Sequence, residues 1–506
     1  MKKTLLLILP FLFLAQCGPE VQYTDFRRDI EAFIRRAMEK MSAKYGLAIT
    51  VVKDDHMIYE GCFGPADAEN NIPVTPETDF YIASSTKSFT ALATLILAKQ
   101  EKLDLNRTLA SYFPEISFAP ELKADSITVY HLLTHTAGLE NDPLVFTTAY
   151  TGNHTPEKLL RILADFTRVD EQHPFHQFAY TNFGYVVISM ILEREVKKPW
   201  QDILAETVFK PLGMNQTSAY ISDAKRYGWP LALPYTQVNK EKRLERIPLV
   251  KKDNTMHAAG GMITTIENLS RWLVVQLNQG QIDGRQVFPA GLISRAQTAQ
   301  VSQDRKYFNM HRFAYGYGWN LASTITGDTL IHHFGGYPGA HAQVSFMPRY
   351  KTGIAVLANE NSQGQDLAWL AASYAFDYLA GRQGMDSVYA AALDSTREQN
   401  DRWLERVFAH QADRSRRIWQ LKLPFAAYIG RYFNDPMGEL IVTNPSDSVL
   451  MAELGNLKSE AAEPYTQPNS IRVEMIPGSG SVLHFQVEEG RVTGAELEGM
   501  EFRRVP

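Results

Sequence analysis

Ser84 and Lys87 lie three positions apart in the stretch YIASSTKSFTALA, and their types suggest nucleophilic catalysis. The apolar residues that follow Lys87 recur at helical spacing and predict a buried helix. On a helix, residues three apart lie within about 60° of each other, so the Lys87 amine can reach the Ser84 hydroxyl. A lysine whose charge is suppressed by burial can accept the serine proton and activate the hydroxyl. The alternative is that Ser84 is a plain N-cap of the helix.

A second Ser-x-x-Lys pair, Ser222 and Lys225, lies in YISDAKRYGWP. Serine and lysine are common, so a chain of 506 residues gives roughly one or two such matches by chance. No apolar helix follows Ser222, and its surroundings predict a loop. We therefore select Ser84 on its context and dismiss Ser222.

Tyr180 and Asn182, in HQFAYTNFGYVV, form the second candidate pair. In an extended segment, residues i and i+2 point to the same side, so both side chains can face one cleft. A tyrosine can carry a proton between nucleophile and leaving group where cations lower its pKa. Because Tyr-x-Asn also occurs at Tyr307 and Tyr432, the pattern is weak without its surroundings.

A glycine-rich strand end supplies the third candidate element. The literal Lys-Thr-Gly at residues 351–353 lies between two apolar strands in FMPRYKTGIAVLA, which predicts that Lys351 is at a hairpin tip in water. His333, in TLIHHFGGYPGAHAQV, is the better candidate because it ends a strand. Gly335 and Gly336 after it permit close approach of the backbone to a ligand.

Composition and other motifs exclude several classes of protein. The net charge is −5 with no basic block, which argues against a nucleic-acid partner. His131 and His135 have the helical spacing of a zinc pair, but no Glu follows His131, so no metal site is predicted. Cys62 is interpreted as a packed residue. The chain lacks a Walker-A loop and a Cys-x-x-Cys motif, and no cofactor is predicted.

The N-terminus predicts export. Residues 1–16 combine a short basic start with an apolar run, which is typical of a secretory signal and too short to span a bilayer. The stretch LAQC resembles the lipobox of bacterial lipoproteins, although Gln16 replaces the usual small residue. Two hypotheses remain for this segment. Either Cys17 is acylated, which would attach the chain to a membrane, or ordinary cleavage occurs nearby. Either hypothesis predicts a periplasmic or outer-envelope location.

The order of elements predicts an α+β fold, in which an antiparallel sheet flanked by helices is joined to an all-α lobe. This domain is assigned to residues 23–381. It has a helix over residues 25–44, then a hairpin, then helices to residue 270, including one opened by a capping box at Thr264 and Glu267. Strands follow Tyr315, and a helix covers residues 365–379. A charged helical connector is predicted at residues 382–422 and a small all-β domain at residues 423–506.

The chain resembles the serine β-lactamase-related hydrolases: class C β-lactamases, D-alanyl-D-alanine carboxypeptidases, and related esterases and D-aminopeptidases. The resemblance covers roughly residues 26–380 and depends on several motifs that occur together in family order. They are FYIASSTKSFTALA, EKLDLNRTLASYFPE, ITVYHLLTHTAGL, FAYTNFGY, PLGM, AAGGMITTIENLSRW, YGYGW and HHFGGYPGAHAQVSFMPRYKTGIAVLANE.

The resemblance implies acyl transfer through a Ser84 acyl-enzyme that water then hydrolyses. It implies that Lys87 activates Ser84, that Tyr180 is the general base and acid, and that Asn182 binds substrate. His333 takes the strand position usually held by Lys or His. The backbone N–H groups of Ser84 and Gly336 would form the oxyanion hole.

One departure bears on the substrate. Phe334 replaces the usual threonine or serine and removes a hydroxyl that could hold a substrate carboxylate, and His333 carries a weaker, pH-dependent charge than Lys. We therefore expect an esterase or D-peptidase rather than an efficient β-lactamase, acting on a small molecule or peptide of cell-wall type. Two alternatives are a non-catalytic module that binds peptidoglycan fragments and a zinc hydrolase using His131 and His135.

Overall fold

The computed structural model of the chain describes residues 23–446 and 449–506. The predicted signal at residues 1–16 and the candidate lipidation site Cys17 lie outside these residues. Within them, no helix combines the length and the apolar character that crossing a bilayer requires. Export and lipidation therefore stay predictions.

Eight antiparallel strands form the first of the two main sheets, and the first two of them along the chain come from a distant part of the sequence. The strands are β1 (Leu47–Lys53), β2 (His56–Phe63), β3 (Val301–Tyr307), β4 (Met310–Tyr315), β5 (Asn320–Ser323), β6 (Thr329–Tyr337), β7 (Ala340–Met347) and β8 (Thr352–Ala358). Their spatial order is β3-β4-β5-β6-β7-β8-β1-β2. Strands β1 and β2 confirm the predicted hairpin, and β1 pairs along its whole length with β8.

Helices cover both faces of this sheet. In the described part, those of eight or more residues are α1 (Thr24–Lys40), α2 (Thr86–Lys99), α3 (Pro156–Phe166), α4 (Phe183–Val196), α5 (Ile266–Leu277), α6 (Ala290–Gln297), α7 (Gln363–Leu379) and α8 (Met385–Ser415). Ile49 and Val51 of β1 face the core formed with α1 and α7, whereas Ala48 and Val52 face the core formed with α5. Strand side chains alternate between the two faces of a sheet, and both faces of β1 are covered by helices. All four of these positions must therefore be apolar.

A helical lobe between β2 and β3 carries α2 to α6 and several short helices. The short helices are Leu109–Tyr112, Val129–Leu133, Asp142–Phe146, Trp200–Leu204, Lys210–Leu212 and Ser222–Tyr227. A small sheet of Phe80–Tyr81, Ile263–Thr264 and Thr217–Ser218 connects the two parts. The amide of Ile82 donates to the carbonyl of Met262 at 3.0 Å. This bond fixes the chain two residues before Ser84. The fold is thus α+β with an all-α lobe, as predicted.

The C-terminal part is a second antiparallel sheet of nine described strands, which confirms the predicted all-β region. The strands are β9 (Gly430–Asn434), β10 (Gly438–Ser446), β11 (Val449–Leu454), β12 (Leu457–Lys458), β13 (Glu463–Pro464), β14 (Ser470–Ile476), β15 (Ser479–Glu488), β16 (Arg491–Leu497) and β17 (Met500–Val505). Their order is β12-β11-β10-β9-β17-β16-β15-β14-β13, and β14 also contacts β11 and β12, so the sheet curls toward closure. Its core extends to Ile247 and Leu249 of the helical lobe.

Three local predictions are wrong. The cap of α5 is Thr265, which accepts from the amide of Asn268 at 3.2 Å, because Thr264 is a strand residue that bonds Thr217. The stretch that begins at Ser222 is a short helix rather than a loop. Strands also begin before residue 315, since β3 and β4 form a polar hairpin with one irregularity in register, and the pairing of β4 with β5 has another.

Candidate active site

Ser84 lies in a tight turn, Ala83–Ser85, directly before α2. The N-cap of α2 is Ser85, whose hydroxyl makes no capping bond and donates to the carbonyl of His333 on β6 at 3.0 Å. Ala83 has a φ of 44°, a left-handed conformation that is strained for a residue with a side chain. The simple N-cap role for Ser84 is therefore wrong. The turn is instead fixed against β6 with the Ser84 hydroxyl available.

Lys87 is in the first turn of α2 and is 0% exposed. Its Nζ donates to Asn182 Oδ1 and to the carbonyl oxygen of Ala259, both at 2.7 Å, and lies 3.2 Å from Ser84 Oγ. It also lies 4.9 Å from the centre of the Tyr180 ring. These partners are all uncharged. Burial among them lowers the pKa of the Lys87 amine well below its ordinary value, which favours the neutral base.

Tyr180 lies on the other side of the serine, and its hydroxyl forms a hydrogen bond with Ser84. The side chain is 38% exposed and faces the cleft. Desolvation raises the pKa of Tyr180 to about 12, although the Ser84 bond and the charge of Arg312 oppose this shift. The phenol is therefore protonated at neutral pH and is a proton donor to its surroundings.

The segment that carries Tyr180 and Asn182 is irregular, and His135 supports it. The carbonyl of His135 accepts from the amide of Ala179 at 2.8 Å, and His135 Nδ1 accepts from the amide of Thr181 at 3.3 Å. The His135 ring packs against the Tyr180 ring with 4.6 Å between centroids. Asn182 is the N-cap residue of α4. The two predicted side chains thus converge on Lys87 and Ser84 without forming a strand.

Strand β6 borders the serine turn. A Cβ added to Gly335 would lie 2.9 Å from the Ser84 amide nitrogen and closer still to the carbonyl oxygen of Ile82, so only glycine fits there. At Gly336 an added Cβ would meet only the side chain of Asn361. This approach brings β6 beside the serine turn, where the family resemblance implies an oxyanion hole formed by the backbone N–H groups of Ser84 and Gly336.

His333 is 2% exposed and faces the same cleft. Burial lowers the pKa of His333 well below its ordinary value, and the charge of Arg312 acts in the same direction. The imidazole is therefore neutral at neutral pH. Its Nε2 is buried without a hydrogen-bond partner among the described residues. The predicted positive charge at this position is thus largely removed by the structure.

The cleft above Ser84 has a volume of about 230 Å³. Besides the predicted residues, its walls contain polar side chains to which the sequence analysis assigned no role in this cleft. These are Gln303, Arg305, Tyr307, Arg312, Asn320, His341 and Gln365. The first four belong to the unpredicted hairpin. Tyr307, where Tyr-x-Asn also occurs in the sequence, lies in the wall of the same cleft.

The competing motifs do not form sites of their own. Ser222 is exposed and its hydroxyl donates to Asp253 at 2.6 Å. Lys351 is exposed at the turn between β7 and β8, as predicted. The helix that carries His131 ends at Leu133, so His131 and His135 do not share a helix face. Among the described residues, no group of three or more His, Cys, Asp or Glu side chains is arranged to hold a metal.

Comparison with known proteins supports this architecture. Protein flp of Staphylococcus aureus (strain COL) is 27% identical over 349 residues, which is 67% of this chain and 64% of that protein. The unguisins hydrolase ungD' of Aspergillus campestris is 26% identical over 326 residues, 63% of this chain and 58% of that protein. The matched part of the chain thus spans less than two thirds of the length of these relatives.

Two solved structures share the fold. An octameric penicillin-binding protein homologue from Pyrococcus abyssi has a TM-score of 0.59 at 21% identity, and the match covers 94% of this chain and 99% of that one. The D-amino acid amidase from Ochrobactrum anthropi has a TM-score of 0.56 at 20% identity, covering 68% of this chain and 99% of the amidase. The family model described as Beta-lactamase matches residues 30–376. The chain therefore belongs to the Beta-lactamase family.

Proposed function

We propose that the protein is a serine hydrolase that transfers an acyl group to Ser84 and then to water. The observation that carries this proposal is the environment of Lys87, which is fully buried and 3.2 Å from Ser84 Oγ. Both of its shorter bonds, to Asn182 Oδ1 and to the Ala259 carbonyl, are made to oxygens that can only accept. A neutral amine has two N–H groups and one lone pair. With both N–H groups used, the lone pair is left for the proton of Ser84.

Acylation follows from this arrangement. As Ser84 Oγ attacks the substrate carbonyl carbon, its proton passes to Lys87. The negative charge that develops on the carbonyl oxygen is accepted by the backbone N–H groups of Ser84 and Gly336. Tyr180, held protonated, gives its proton to the leaving group as the scissile bond breaks, and the Lys87 ammonium restores the phenol proton.

Deacylation uses the same groups in reverse. A water molecule attacks the Ser84 ester, its proton passes through Tyr180 to Lys87, and the Ser84 oxygen leaves with a proton from the same pair. The enzyme returns to its starting protonation state. No other described side chain is needed for the proton balance.

We further propose that the substrate is an ester or a D-amino-acid amide or peptide, rather than a β-lactam turned over efficiently. The neutral, buried His333 and the hydrocarbon ring of Phe334 support this, because neither supplies a fixed charge or a hydroxyl on β6. The name of the D-amino acid amidase among the similar proteins agrees with an amide substrate, and that of the unguisins hydrolase agrees with hydrolysis.

A substrate panel tests the proposal. p-Nitrophenyl esters, D-amino-acid amides and nitrocefin are supplied to the wild type, Ser84→Ala and Ser222→Ala. We expect turnover of at least one ester or amide that is lost in Ser84→Ala and kept in Ser222→Ala, the matched control from the other Ser-x-x-Lys pair. Turnover that survives Ser84→Ala, or none with any substrate, would contradict the proposal.

A non-catalytic module that binds peptidoglycan fragments is the competing function. Binding alone gains nothing from a buried lysine held neutral beside a serine, because burial of an amine destabilises the fold. The geometry at Lys87 therefore favours catalysis.

Export, with attachment through an acylated Cys17, is also a proposal and depends on residues 1–17 alone. Palmitate labelling of the expressed protein, with Cys17→Ala as control, tests it. If the wild type takes up no label, Cys17 is not acylated, and cleavage by an ordinary signal peptidase is the hypothesis that remains.

A further inference from the structure

The first described residue, Tyr23, lies at one end of the eight-stranded sheet. The centre of its ring is 6.5 Å from that of His56, the first residue of β2. The turn between β1 and β2 is therefore directly beside the point at which the N-terminal segment enters the fold.

Three hairpin turns form this end of the sheet, and we call them together the turn face. They are residues 54–55 between β1 and β2, 324–328 between β5 and β6, and 348–351 between β7 and β8. The amide of Asp54 donates to the carbonyl of Lys351 at 2.8 Å, which joins the first turn to the third. The buried carboxylate of Asp328 accepts from the Tyr350 hydroxyl at 3.1 Å and from Arg349 at 3.3 Å, which joins the second turn to the third. The turn face is thus one connected surface.

Helices α1, α7 and α8 also end or begin at the turn face. Phe26, in the first turn of α1, packs against Tyr378, the next-to-last residue of α7, with 5.2 Å between ring centres. The end of α7 therefore lies beside the start of α1. Arg382, which follows α7, forms an ion pair with Asp328, and α8 begins shortly afterwards at Met385.

Exposed apolar side chains occur at each part of this end. Ile325 in the second turn is 77% exposed, Val388 in the first turn of α8 is 55% exposed, and Met57 on β2 is 38% exposed. Single exposed apolar residues are common on protein surfaces. Their exposure alone therefore does not identify a partner, and the position of the N-terminus is needed to do so.

The exposed charges of the turn face have both signs. Arg349 and Lys351 are exposed on the third turn, and Asp55 is exposed on the first. Attraction to anionic lipid depends on a cluster of cations. Because the turn face has no such excess at its exposed turns, its contacts are expected to depend on the apolar side chains.

The length of the N-terminal segment limits how far this face can lie from a membrane. Tyr23 is six residues after the candidate acylation site Cys17. A fully extended chain advances at most about 3.5 Å per residue, so an acylated Cys17 keeps Tyr23 within about 21 Å of the bilayer surface.

The opposite end of the molecule is out of this reach. α8 has 31 residues and, at about 1.5 Å per residue, extends about 46 Å away from the turn face. Its far end contacts the C-terminal sheet, where Arg414 forms an ion pair with Glu463 at 3.0 Å. Of these two ends, the turn face is the one that an anchor at Cys17 holds close to lipid.

We propose that the turn face rests on the membrane surface that holds the acylated Cys17, with Ile325, Val388 and Met57 in the headgroup region of the bilayer. This inference goes beyond the chemistry at Ser84 and rests on the proposed acylation of Cys17. Apolar side chains are stabilised at the boundary between headgroups and acyl chains. Weak contacts of this kind suffice because the anchor already confines the domain to the surface and makes the second contact intramolecular.

This orientation sets the position of the active site. Gly335, which lies beside Ser84, is six residues along β6 from Thr329 at the turn face. At about 3.3 Å per residue, the cleft is held about 20 Å from the membrane. The substrate therefore reaches Ser84 from the aqueous phase rather than from within the bilayer.

Fluorophores at two matched isoleucines test the inference. Ile325 is 77% exposed and Ile418 is 73% exposed, but Ile418 follows α8 at the opposite end of the molecule. Ile325→Cys and Ile418→Cys are each made in a Cys62→Ala background and labelled on the new thiol, since an acylated Cys17 has no free thiol. The full chain is purified from membranes and reconstituted into phosphatidylcholine vesicles that contain a phosphatidylcholine spin-labelled near its headgroup.

We expect the spin-labelled lipid to quench the fluorophore at Ile325→Cys and not the one at Ile418→Cys. Quenching at neither position, or equal quenching at both, overturns the inference. Quenching at Ile325→Cys that rises with protein density and does not need the spin-labelled lipid would indicate contact between copies of the chain, and it would also overturn the inference.

A charge on the turn face provides a second test. Burial of an isoleucine side chain is worth about 10-fold to 100-fold in an equilibrium constant, so Ile325→Asp should lower the ratio of docked to undocked molecules by this factor. The ratio is read from lipid quenching of a fluorophore at Val388→Cys. Ile418→Asp is the control and should leave the ratio unchanged, and both variants should keep Ser84-dependent turnover. Full quenching in Ile325→Asp would contradict the proposed contact.

Mass spectrometry of the same preparations separates the two possible failures. If Cys17 carries no acyl chain, the proposed anchor and this inference both fail, whereas Ser84-dependent turnover is unaffected. If Cys17 is acylated and the fluorophore at Ile325→Cys is not quenched by lipid, the anchor stands and the contact of the turn face with the membrane is wrong.

Discussion

Replacing Gly335 with alanine should disable the active site by moving β6 rather than by removing any reacting group. The new Cβ would lie 2.9 Å from the Ser84 amide nitrogen, whereas ordinary contacts are 3.4 Å or longer. Both obstructing atoms, this nitrogen and the Ile82 carbonyl oxygen, belong to the backbone and cannot rotate away. The tighter contact, 2.1 Å to the Ile82 oxygen, is short of 3.4 Å by 1.3 Å, so the strand must retreat by more than the ~0.5 Å within which catalytic groups must be held. Misplacement on this scale, together with a distorted oxyanion hole, costs about 10²-fold in rate.

The measurement is kcat/KM on the best substrate of the panel, with a thermal melt to establish folding. Gly291→Ala is the control, since a Cβ there meets nothing within 4 Å and the backbone is helical. We expect Gly291→Ala to match the wild type and Gly335→Ala to lose about 10²-fold or more in kcat/KM. A folded Gly335→Ala that retains activity within about 3-fold of the wild type would refute the reasoning, because β6 would then not set the geometry at Ser84.

Three further predictions concern a proton donor, a buried acid and the docking of the C-terminal sheet. Tyr180→Phe should lower kcat by about 10²-fold or more with little change in the melting temperature; an unchanged kcat would remove the phenol from the mechanism. Burial raises the pKa of Asp79 to about 8 from 3.8, so the folded state binds more protons than the unfolded state between these values and stability falls as pH rises. In urea unfolding, the free energy of unfolding of Asp79→Asn minus that of the wild type should therefore be at least about 1 kcal/mol larger at pH 8 than at pH 5. A difference that does not change with pH would contradict this. Gly455→Ala places a Cβ against the carbonyl of Thr151 and should speed proteolysis of the C-terminal sheet. Gly499→Ala, where φ is also positive but the added Cβ meets open space, should not; equal rates would show that this contact is dispensable.

The sequence was sufficient for elements whose signals are local. The apolar β1 and β2 with their short polar turn have the expected strand pattern, and the position of Ser84 ahead of a buried helix follows from helical spacing. The separation of Ser84 and Lys87 fixes their proximity once that helix forms. These features depend on neighbours within a few residues, which is why they could be predicted.

Contacts between distant segments could not be derived in this way. The carbonyl of Ala259, which is 172 positions from Lys87, accepts one of the two short bonds that orient the amine. A backbone acceptor leaves no mark in the sequence. His135 was considered only for zinc, yet it supports the Tyr180 segment because the helix before it ends early.

The β3 and β4 hairpin shows a different limit. Val301–Tyr307 contains one partly buried apolar residue at each end and five polar residues between them, so it lacks the alternation that predicts a strand. Irregular register further obscures the pattern. Arg312 was missed because the strand that carries it was missed. The domain boundaries at residues 381, 422 and 423 stay predictions, although α8 occupies most of the predicted connector.

The most direct test of the account is the site and pH dependence of modification by a fluorophosphonate probe, read by mass spectrometry of the digested protein. We expect one adduct on Ser84 in the wild type and in Ser222→Ala, and strongly slowed labelling in Lys87→Met. The labelling rate should reach half its maximum well below pH 10.5, the ordinary pKa of a lysine. An adduct on another residue, or labelling of Ser84 at the same rate without the Lys87 amine, would contradict it.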